Sequence, residues 1–456
     1  MGHFHFIPKL HKATPAPRPI VAGKDKPEVP TARRVNAALS FLLAQSGGKL
    51  WHDVVLAYFG LNVPRSSALV GCEGLNLALL RQLISRGEID AARLKFSVYD
   101  FTAMYTRFTH EMLINETSEF LTYAYRVHAA KTGSIFLAVP HHHAYKRESC
   151  FWSESADLGE TKAKTHAVMT LPGLLERVKF LIENAYVTFG GEMYHQRIGV
   201  AMGLIPAGLI ATITCLSYEL KYLRRVLLRY KDLTPDDEEY RRVRARAYWM
   251  VTYKRYIDDC KHVLTDPEAF DSKDALYDRR TVFTGEQDGG DLDGIFPLRS
   301  NGPNGVVVDS PCDLEQVHAP SRTITFLDYK LTIDPKKGLI RTSVHDKRRD
   351  MPCYANSRTF PHRKSVLPWT CKVGVITSQF TRFVRRECTM DGFLQETSSL
   401  VANMILHGYP PDKVEAKVEA FRRKWESSGA NALGRPRQFF NAFPSWVNVT
   451  LAERRS

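Results

Sequence analysis

The chain has 456 residues, 44% of them hydrophobic and 25% charged, which excludes an intrinsically disordered protein and indicates about two or three folded domains or subdomains. Its net charge of +14 favours a polyanionic partner, either nucleic acid or an anionic membrane surface. The eight cysteines include no C-x-x-C pair, so we predict neither a zinc site nor a disulfide framework, and we interpret them as reduced thiols of a nuclear or cytoplasmic protein.

The N-terminal part of the chain predicts strands first and helices afterwards. Residues 1–35 are rich in proline and basic residues and are expected to form extended strands and turns on a basic surface, whereas 36–92 are expected to be mostly helical. The stretch LKFSVYD then alternates apolar and polar residues, which predicts a half-buried strand that ends at Asp100. A helix is predicted over 107–130.

Residues 131–165 are interpreted as a long irregular insertion. The insertion includes a run of three histidines at 141–143, which is expected to be a loop because consecutive side chains cannot converge on one metal. Thr170 and Pro172 then predict the start of a helix, by capping and by a first-turn proline respectively. The apolar face of that helix is predicted to consist of Leu174, Leu175, Val178, Leu181, Ile182 and Tyr186.

The uncharged segment 198–218 has the length of a bilayer crossing, but glycines and a proline crowd its first half. We therefore expect a glycine-rich loop that leads into a buried helix, and no membrane span. A charged helix over 234–248 precedes the stretch WMVTYKRYIDDCKHVL, which predicts two short strands that turn at Asp258–Asp259.

The last third of the chain separates acidic from basic sequence. Residues 284–315 form an acidic, glycine-rich loop that is a poor candidate for touching nucleic acid. The stretch TITFLDYKLTI predicts another strand, and from 341 onward the chain is basic and aromatic. Residues 371–425 are expected to be helical.

Three aspartates give the first indication of chemistry. Asp100 ends one predicted strand, and Asp258 and Asp259 lie at a predicted hairpin turn. If these strands are neighbours in one sheet, the carboxylates converge and repel each other unless divalent cations lie between them. Oxygen ligands favour Mg²⁺ or Mn²⁺, and two such ions can promote in-line phosphoryl transfer. The alternative for the Asp258–Asp259 pair alone is a solvated turn.

The motifs around these acids resemble those of a known enzyme family. The stretches DFTAMY (100–105), YHQRIGVAMG and RYIDD resemble motifs A, B and C of reverse transcriptases, in detail those of Penelope-like retroelements, which are relatives of telomerase. FIPKLHKATPAPRPIV is similar to the opening finger motifs, and TFLDYKL to the strand after motif C. KRRDMPCYANSRTFPHRKSVLP and LHGYP resemble the segment that leads into a helical thumb. The resemblance covers most of the chain from residue 4 to about 425.

The resemblance implies an α+β right-hand polymerase with fingers, a palm (an antiparallel sheet backed by helices) and a helical thumb. Finger elements would occupy 1–92, the palm 93–340, the thumb-like helical region 341–425 and a C-terminal tail 426–456. The segments 131–165 and 284–315 would be insertions in the palm.

The resemblance also implies roles for individual residues. Asp100 and Asp258 would ligate both Mg²⁺ (or Mn²⁺) ions, and Asp259 would be a more peripheral acid. Tyr105 would stack under the incoming sugar and block a 2′-hydroxyl, which favours deoxynucleotides; core packing is its alternative. Lys9 and Arg18 would grip the nucleotide triphosphate, although either could be a plain surface charge.

Further matches concern the nucleic acid. Four residues match motif B, where missing side chains would let the backbone approach template and nucleotide: Gln196, Gly199, Met202 and Gly203. Phe326, Leu327 and Asp328 would help hold the primer end, with core packing as the alternative for the first two. The basic aromatic segment 347–386 would clamp the template–primer duplex, with a solvated basic face as its alternative.

The function implied is an RNA-directed DNA polymerase of a retroelement, which acts on an RNA template, a DNA primer and dNTPs. After Gly203 the chain has Leu204 and Ile205 where the family has a small residue and prolines, which questions template handling. The family's upstream region and a GIY-YIG endonuclease signature are not found, so we expect an endonuclease-lacking element or a truncated copy. A decayed or domesticated nucleic-acid-binding remnant is the alternative, and an RNA-templated RNA polymerase is disfavoured by Tyr105.

Overall fold

The computed structural model describes most of the chain. The described residues are 2–9, 16–22, 28–47, 53, 56, 77–101, 104–141, 150–237, 239–264, 299–301, 307–309, 314–336, 338–346, 360–387 and 389–427. The chain divides into two compact units, Met1–Pro320 and Ser321–Ser456. Most of the predicted acidic loop, the first part of the basic segment 347–386 and nearly all of the predicted C-terminal tail lie outside the described residues.

The N-terminal strands belong to a four-stranded sheet of the first unit. Strands β1 (Gly2–Lys9) and β2 (Ala16–Ala22) form an antiparallel hairpin, which confirms the prediction of extended strands in this region. The sheet continues from β1 in the order β2-β1-β7-β8, with β7 (Tyr186–Phe189) parallel to β1 and β8 (Glu192–His195) antiparallel to β7. The first helix, Val29–Leu42, begins before residue 36 because Val29 and Pro30 already occupy its first turn.

A second four-stranded sheet carries the predicted acids. Its order is β13-β3-β10-β9, where β13 is Leu314–Ser321, β3 is Lys95–Phe101, β10 is Asp259–Leu264 and β9 is Lys254–Tyr256. Strand β10 is antiparallel to both β3 and β9. The predicted hairpin is therefore confirmed, although its turn is Ile257–Asp258 and not Asp258–Asp259.

Strand β3 has the predicted alternation, with Lys95 and Tyr99 half-buried on its polar face, but part of that face is covered. Phe96 and Val98 are buried as predicted, but Ser97 on the opposite face is only 1% exposed. That opposite face continues on β10 with His262, which contacts Trp249 of the helix Tyr240–Thr252. The alternation in the sequence predicted the two faces of the strand correctly. It could not predict that the helix Tyr240–Thr252 packs near the polar face.

Three long helices of the first unit are His110–Thr132, Leu171–Glu183 and Ala207–Asp232. The Thr170 hydroxyl accepts a hydrogen bond from the Gly173 amide, so the predicted cap is confirmed. The helix ends at Glu183, however, and Tyr186 lies in β7 and not on the predicted helical face. The glycine-rich loop does lead into a buried helix. Among the described residues, no helix is long and apolar enough to cross a membrane.

The insertion predicted to be irregular contains regular structure. Strand β4 (Phe136–Pro140) lies between β5 (Phe151–Ser153) and β6 (His166–Met169) in a three-stranded sheet, and a short helix, Gly159–Ala163, connects the last two. Trp152 stacks on the His128 ring with ring centroids 4.0 Å apart, which ties this sheet to the helix His110–Thr132. Further along the chain, β11 (Arg299–Asn301) pairs with β12 (Val307–Asp309) within the predicted acidic loop.

The second unit combines one sheet with three helices. Strands β14 (Thr323–Phe326), β15 (Tyr329–Asp334) and β16 (Leu339–Val344) form an antiparallel sheet, so TITFLDYKLTI is a hairpin and not one strand. The helical prediction for 371–425 is confirmed by helices Trp369–Arg386, Met390–Leu406 and Pro411–Ser427. The described residues therefore have the predicted α+β class, with mainly antiparallel sheets and C-terminal helices that fit a right-hand polymerase fold.

The β14–β15 turn is fixed by ion pairs within this unit. The Asp328 carboxylate lies 2.9 Å from Arg382 and 2.9 Å from Arg386, both on the helix Trp369–Arg386. Phe326 is buried, as its core-packing alternative predicted. Asp328 thus joins the turn to the helix, and any role of this turn in holding a primer remains a prediction.

Candidate active site

The three predicted acids meet at one end of the second sheet. Asp100 on β3 lies directly opposite Asp259 on β10 in the strand register. The Phe101 amide donates a hydrogen bond of 3.2 Å to the Asp258 carbonyl, so the turn is attached to the end of β3. All three residues are half-buried. The strands that carry the acids are therefore neighbours, as predicted, and the joint metal site of the three carboxylates remains a prediction.

The pairing of two acids has an electrostatic cost. Asp100 and Asp259 share one face of the sheet, and like charges directly opposite each other on paired strands are destabilising. Their oxygen atoms suit Mg²⁺, which is usually held by one or two carboxylates together with substrate phosphates. Within the ranges described above, no three His, Cys, Asp or Glu side chains are grouped closely enough to hold a metal ion by themselves. The donor chemistry fits a metal shared with a nucleotide, and the metal remains a prediction.

The backbone of the Ile257–Asp258 turn is strained at Ile257. Ile257 has a φ of +56°, a left-handed conformation that costs a β-branched residue about 1–2 kcal/mol. Such strain persists only where surrounding contacts fix the backbone, and it concentrates at functional sites. The contact that fixes it here is the Arg255 guanidinium, whose Nη1 donates a 3.0 Å hydrogen bond to the Ile257 carbonyl.

Arg255 belongs to a buried network that the sequence reasoning missed. Its Nε lies 2.6 Å from Oε1 of Glu219, and neither side chain is exposed to solvent. The Tyr253 hydroxyl donates to the same carboxylate at 2.9 Å. Burial alone would lower the pKa of Arg255, but the Glu219 charge outweighs it and raises that pKa well above its ordinary value. The sequence did contain one signal for this network, because Glu219 is the single acid in the apolar first half of the helix Ala207–Asp232.

Tyr105 lies beside the acids. It belongs to the short helix Met104–Arg107, and its pKa is raised to about 12 by burial and, next, by the negative charge of Asp258. A Cβ added at Gly208 would come 3.5 Å from the Tyr105 hydroxyl, so the ring reaches the start of the helix Ala207–Asp232. The half-buried ring is thus within electrostatic range of Asp258, and its contact with a sugar remains a prediction.

Gly199 has a different use from the one predicted. Its φ is +79°, and an added Cβ would lie 2.3 Å from the Tyr105 carbonyl oxygen and 2.8 Å from the Thr106 Cα. Its amide donates to the Phe108 carbonyl at 2.7 Å, and the Val200 amide donates to the Tyr105 carbonyl at 2.8 Å. The space left by the missing side chain is therefore occupied by the protein's own backbone and not by a template. Gly199 fixes the segment that carries Tyr105.

The rest of motif B is less enclosed. The Gln196 side-chain amide donates to the Ile198 carbonyl at 3.0 Å, while Met202 is half-buried and Gly203 is exposed with a φ of +116°. The departure from the family pattern has a local solution, because Leu204 packs against Ala185 and Ala201. Ile205 remains 40% exposed.

The predicted triphosphate-binding residues lie on the N-terminal hairpin. In the β1–β2 register Ile7 faces Arg18 and Lys9 faces Ala16, so Lys9 and Arg18 are two positions apart along the ladder. Both belong to the sheet that includes β7 and β8, and β8 contains the first two residues of motif B, Tyr194 and His195. Their binding role remains a prediction.

His262 predicts a measurable pH dependence. The Trp249 indole N–H, which can only donate, gives a 3.1 Å hydrogen bond to Nδ1 of His262, so the ring is neutral. Burial and, next, the charge of Lys261 lower the pKa of His262 to about 3. An unfolded histidine titrates near pH 6.5, so between about pH 6.5 and 3 the unfolded state binds the additional proton. The free energy of unfolding should then fall by about 1.4 kcal/mol per pH unit as pH decreases.

Replacing His262 by Gln should remove this one-proton dependence. Urea unfolding of both proteins across this pH window measures it. Equal slopes in the two proteins would contradict the prediction.

Comparison with solved structures finds telomerases. The chain is similar to telomerase from Candida albicans in complex with a TWJ fragment of telomeric RNA, with a TM-score of 0.49 and 12% identity over 99% of this chain and 60% of that chain. Apo telomerase from Candida tropicalis gives a TM-score of 0.43 and 11% identity, over 99% and 65% of the two chains. The chain thus spans less than two thirds of the length of these telomerases. No protein-family model and no curated protein matches it.

Proposed function

We propose that this protein is an RNA-directed DNA polymerase that adds dNTPs to the 3′-hydroxyl of a primer. The observation that carries the proposal is the register of β3 and β10, which sets Asp100 opposite Asp259, with Asp258 in the adjoining turn. Acids from separate parts of the chain that are brought to the same end of a sheet are expected where metal-bound phosphates enter.

The proposal gives each neighbouring residue a task. Asp100, Asp258 and Asp259 would hold Mg²⁺ or Mn²⁺, which when bound would neutralise charge on the transferred phosphate. Tyr105, beside Asp258, would pack under the sugar of the incoming nucleotide and leave no room for a 2′-hydroxyl. Gly199 would keep that ring in place through its contact with the Tyr105–Thr106 backbone.

The finer assignment rests on sequence motifs. The order of DFTAMY, YHQRIGVAMG and RYIDD favours a retroelement enzyme of the Penelope-like type, with an RNA template and a DNA primer as partners. The net charge of +14 supports a nucleic-acid partner.

Primer extension on an RNA template tests the proposal. The reaction contains a DNA primer, an RNA template, dNTPs and either Mg²⁺ or Mn²⁺, and we expect extension that depends on the divalent ion. Equal extension with ribonucleotides would instead favour an RNA-templated RNA polymerase. Salt-dependent binding of an RNA–DNA duplex without extension under either metal would favour a nucleic-acid-binding remnant.

Tyr105 predicts how the enzyme selects its sugar. Tyr105→Ala should open space beside Asp258 and raise the ratio of ribonucleotide to deoxynucleotide incorporation by about 10- to 100-fold, since loss of a steric contact of this kind is worth a few kcal/mol. Tyr105→Phe is the matched control, because it keeps the ring and removes only the hydroxyl. Single-nucleotide incorporation with each nucleotide type measures the ratio. An unchanged ratio in Tyr105→Ala would assign the ring to core packing alone.

A further inference from the structure

The Arg255 guanidinium donates four hydrogen bonds inside the protein. Besides the 2.6 Å contact of Nε with Glu219, its Nη2 donates to Oε2 of Glu219 at 3.1 Å and to the Thr212 carbonyl at 3.1 Å. Its Nη1 donates to the Ile257 carbonyl at 3.0 Å. The guanidinium therefore connects Thr212 and Glu219 of the helix Ala207–Asp232 with the Ile257–Asp258 turn.

A contribution to stability alone does not explain this network. Two buried charges lose their hydration, and well-packed apolar residues of similar volume often stabilise a fold as well or better. What an apolar pair cannot do is hold the carbonyl of a residue whose backbone is left-handed. Ile257 has that conformation, and it directly precedes the paired acids.

The register explains why this carbonyl matters. Tyr256 pairs with Asp259, so the turn contains only Ile257 and Asp258. A two-residue turn sets Asp259 opposite Asp100, and a relaxed turn at Ile257 would shift Asp258 and Asp259 relative to β3. The position of both acids thus depends on one strained residue.

We infer that Arg255, anchored by Glu219, is a positioning residue that holds the Ile257 carbonyl and thereby sets Asp258 and Asp259 against Asp100. The inference rests on the proposed function, since it concerns the acids of the polymerase site. Arg255 reaches those acids through the backbone of Ile257. A lysine at 255 could keep a charge next to Glu219, but its single ammonium cannot reproduce the planar set of contacts.

The test compares Arg255→Lys with Tyr253→Phe. Tyr253→Phe removes a hydrogen bond to Glu219 and a 3.3 Å contact with the Cys260 sulfur, and it leaves the hydrogen bond to the Ile257 carbonyl intact, so it perturbs the same network without releasing Ile257. Mn²⁺ binding to the folded proteins in the presence of a fixed dNTP concentration, followed by the electron paramagnetic resonance signal of Mn²⁺ that is not bound to protein, gives a readout that does not depend on activity. Steady-state primer extension gives kcat and KM for the nucleotide.

For Arg255→Lys we expect Mn²⁺ affinity to fall about tenfold or more, as for loss of a residue that orients metal ligands. We expect kcat to fall about 100-fold, as for small misplacements of reacting groups. Tyr253→Phe should stay within about threefold of the wild type in both measurements. A merely structural role would lower the unfolding temperature of Arg255→Lys and leave its Mn²⁺ affinity unchanged, which would overturn the inference.

A rescue experiment separates the turn from general damage. Glycine adopts a φ of +56° without strain, so Ile257→Gly in the Arg255→Lys background should recover about tenfold in Mn²⁺ affinity. If Arg255→Lys does not fold, the double variant is compared directly with the wild type. A Mn²⁺ affinity of the double variant more than 100-fold below that of the wild type would then contradict the turn mechanism. If the wild type does not extend primers, the proposed polymerase function fails, whereas equal Mn²⁺ affinities in wild type and Arg255→Lys refute the positioning role alone.

Discussion

Asp258→Asn is expected to reduce kcat for primer extension by about 100- to 1,000-fold. The amide keeps the size of the carboxylate but removes the negative charge, and loss of one electrostatic contact to the transition state costs about 100- to 1,000-fold. Asp258 lies in the Ile257–Asp258 turn, and its carbonyl accepts a hydrogen bond from the Phe101 amide. The substitution leaves that backbone contact in place, so the fold should be retained.

Asp232→Asn is the matched control, because Asp232 is exposed at the end of the helix Ala207–Asp232. It should extend primers at the wild-type rate. The measurement is single-turnover extension with saturating dNTPs, together with circular dichroism of all three proteins. Activity that survives Asp258→Asn would refute the proposed site, even if the wild type is a polymerase.

Gly199→Ala is expected to destabilise the first unit by roughly 2–5 kcal/mol. An added Cβ would lie 2.3 Å from the Tyr105 carbonyl oxygen, and overpacking of this kind costs about 1–3 kcal/mol. The left-handed φ of +79° adds about 1–2 kcal/mol for any residue with a side chain. The total is a large share of the stability of a typical domain. If the variant folds, displacement of Tyr105 should also relax discrimination between sugars.

Gly133→Ala separates the cost of overpacking from the cost of the left-handed φ. Gly133 ends the helix His110–Thr132 with a φ of +74°, and an added Cβ there meets no atom within 4 Å. It should therefore cost only the conformational part, about 1–2 kcal/mol. Urea unfolding of both variants measures the difference. Equal losses would mean that the Tyr105–Thr106 backbone moves away freely and that Gly199 does not fix Tyr105.

Much of the candidate site could be predicted from the sequence because its elements are local. Asp100 follows an alternating apolar stretch, and the acids at 258 and 259 follow a short run of strand-forming residues. Helix starts such as Thr170 were predictable because a cap depends on residues only three positions apart. The helices of the second unit were predictable from their apolar periodicity for the same reason.

The rest depended on contacts between distant segments. Nothing near Arg255 in the sequence identifies Glu219 as its partner, because that pairing arises when two elements pack. The β14–β15 turn was missed because Leu327, at a φ of +56°, is not a typical turn residue and is stabilised by tertiary contacts of the neighbouring Asp328. The sheet of β4, β5 and β6 was missed because its strands are short and because Trp152 of β5 packs against His128, which belongs to another element.

The parallel pairing of β1 with β7 has a consequence for biosynthesis. Gly2 and His3 face Val187 and Thr188, so the first strand can complete its sheet only after those residues have left the ribosome. At common translation rates this delay is roughly 10–40 s. During that time the β1–β2 hairpin presents an unpaired edge, which chaperones would have to shield from other nascent chains. Expression at reduced temperature or with added chaperone should therefore improve the soluble yield of the full chain.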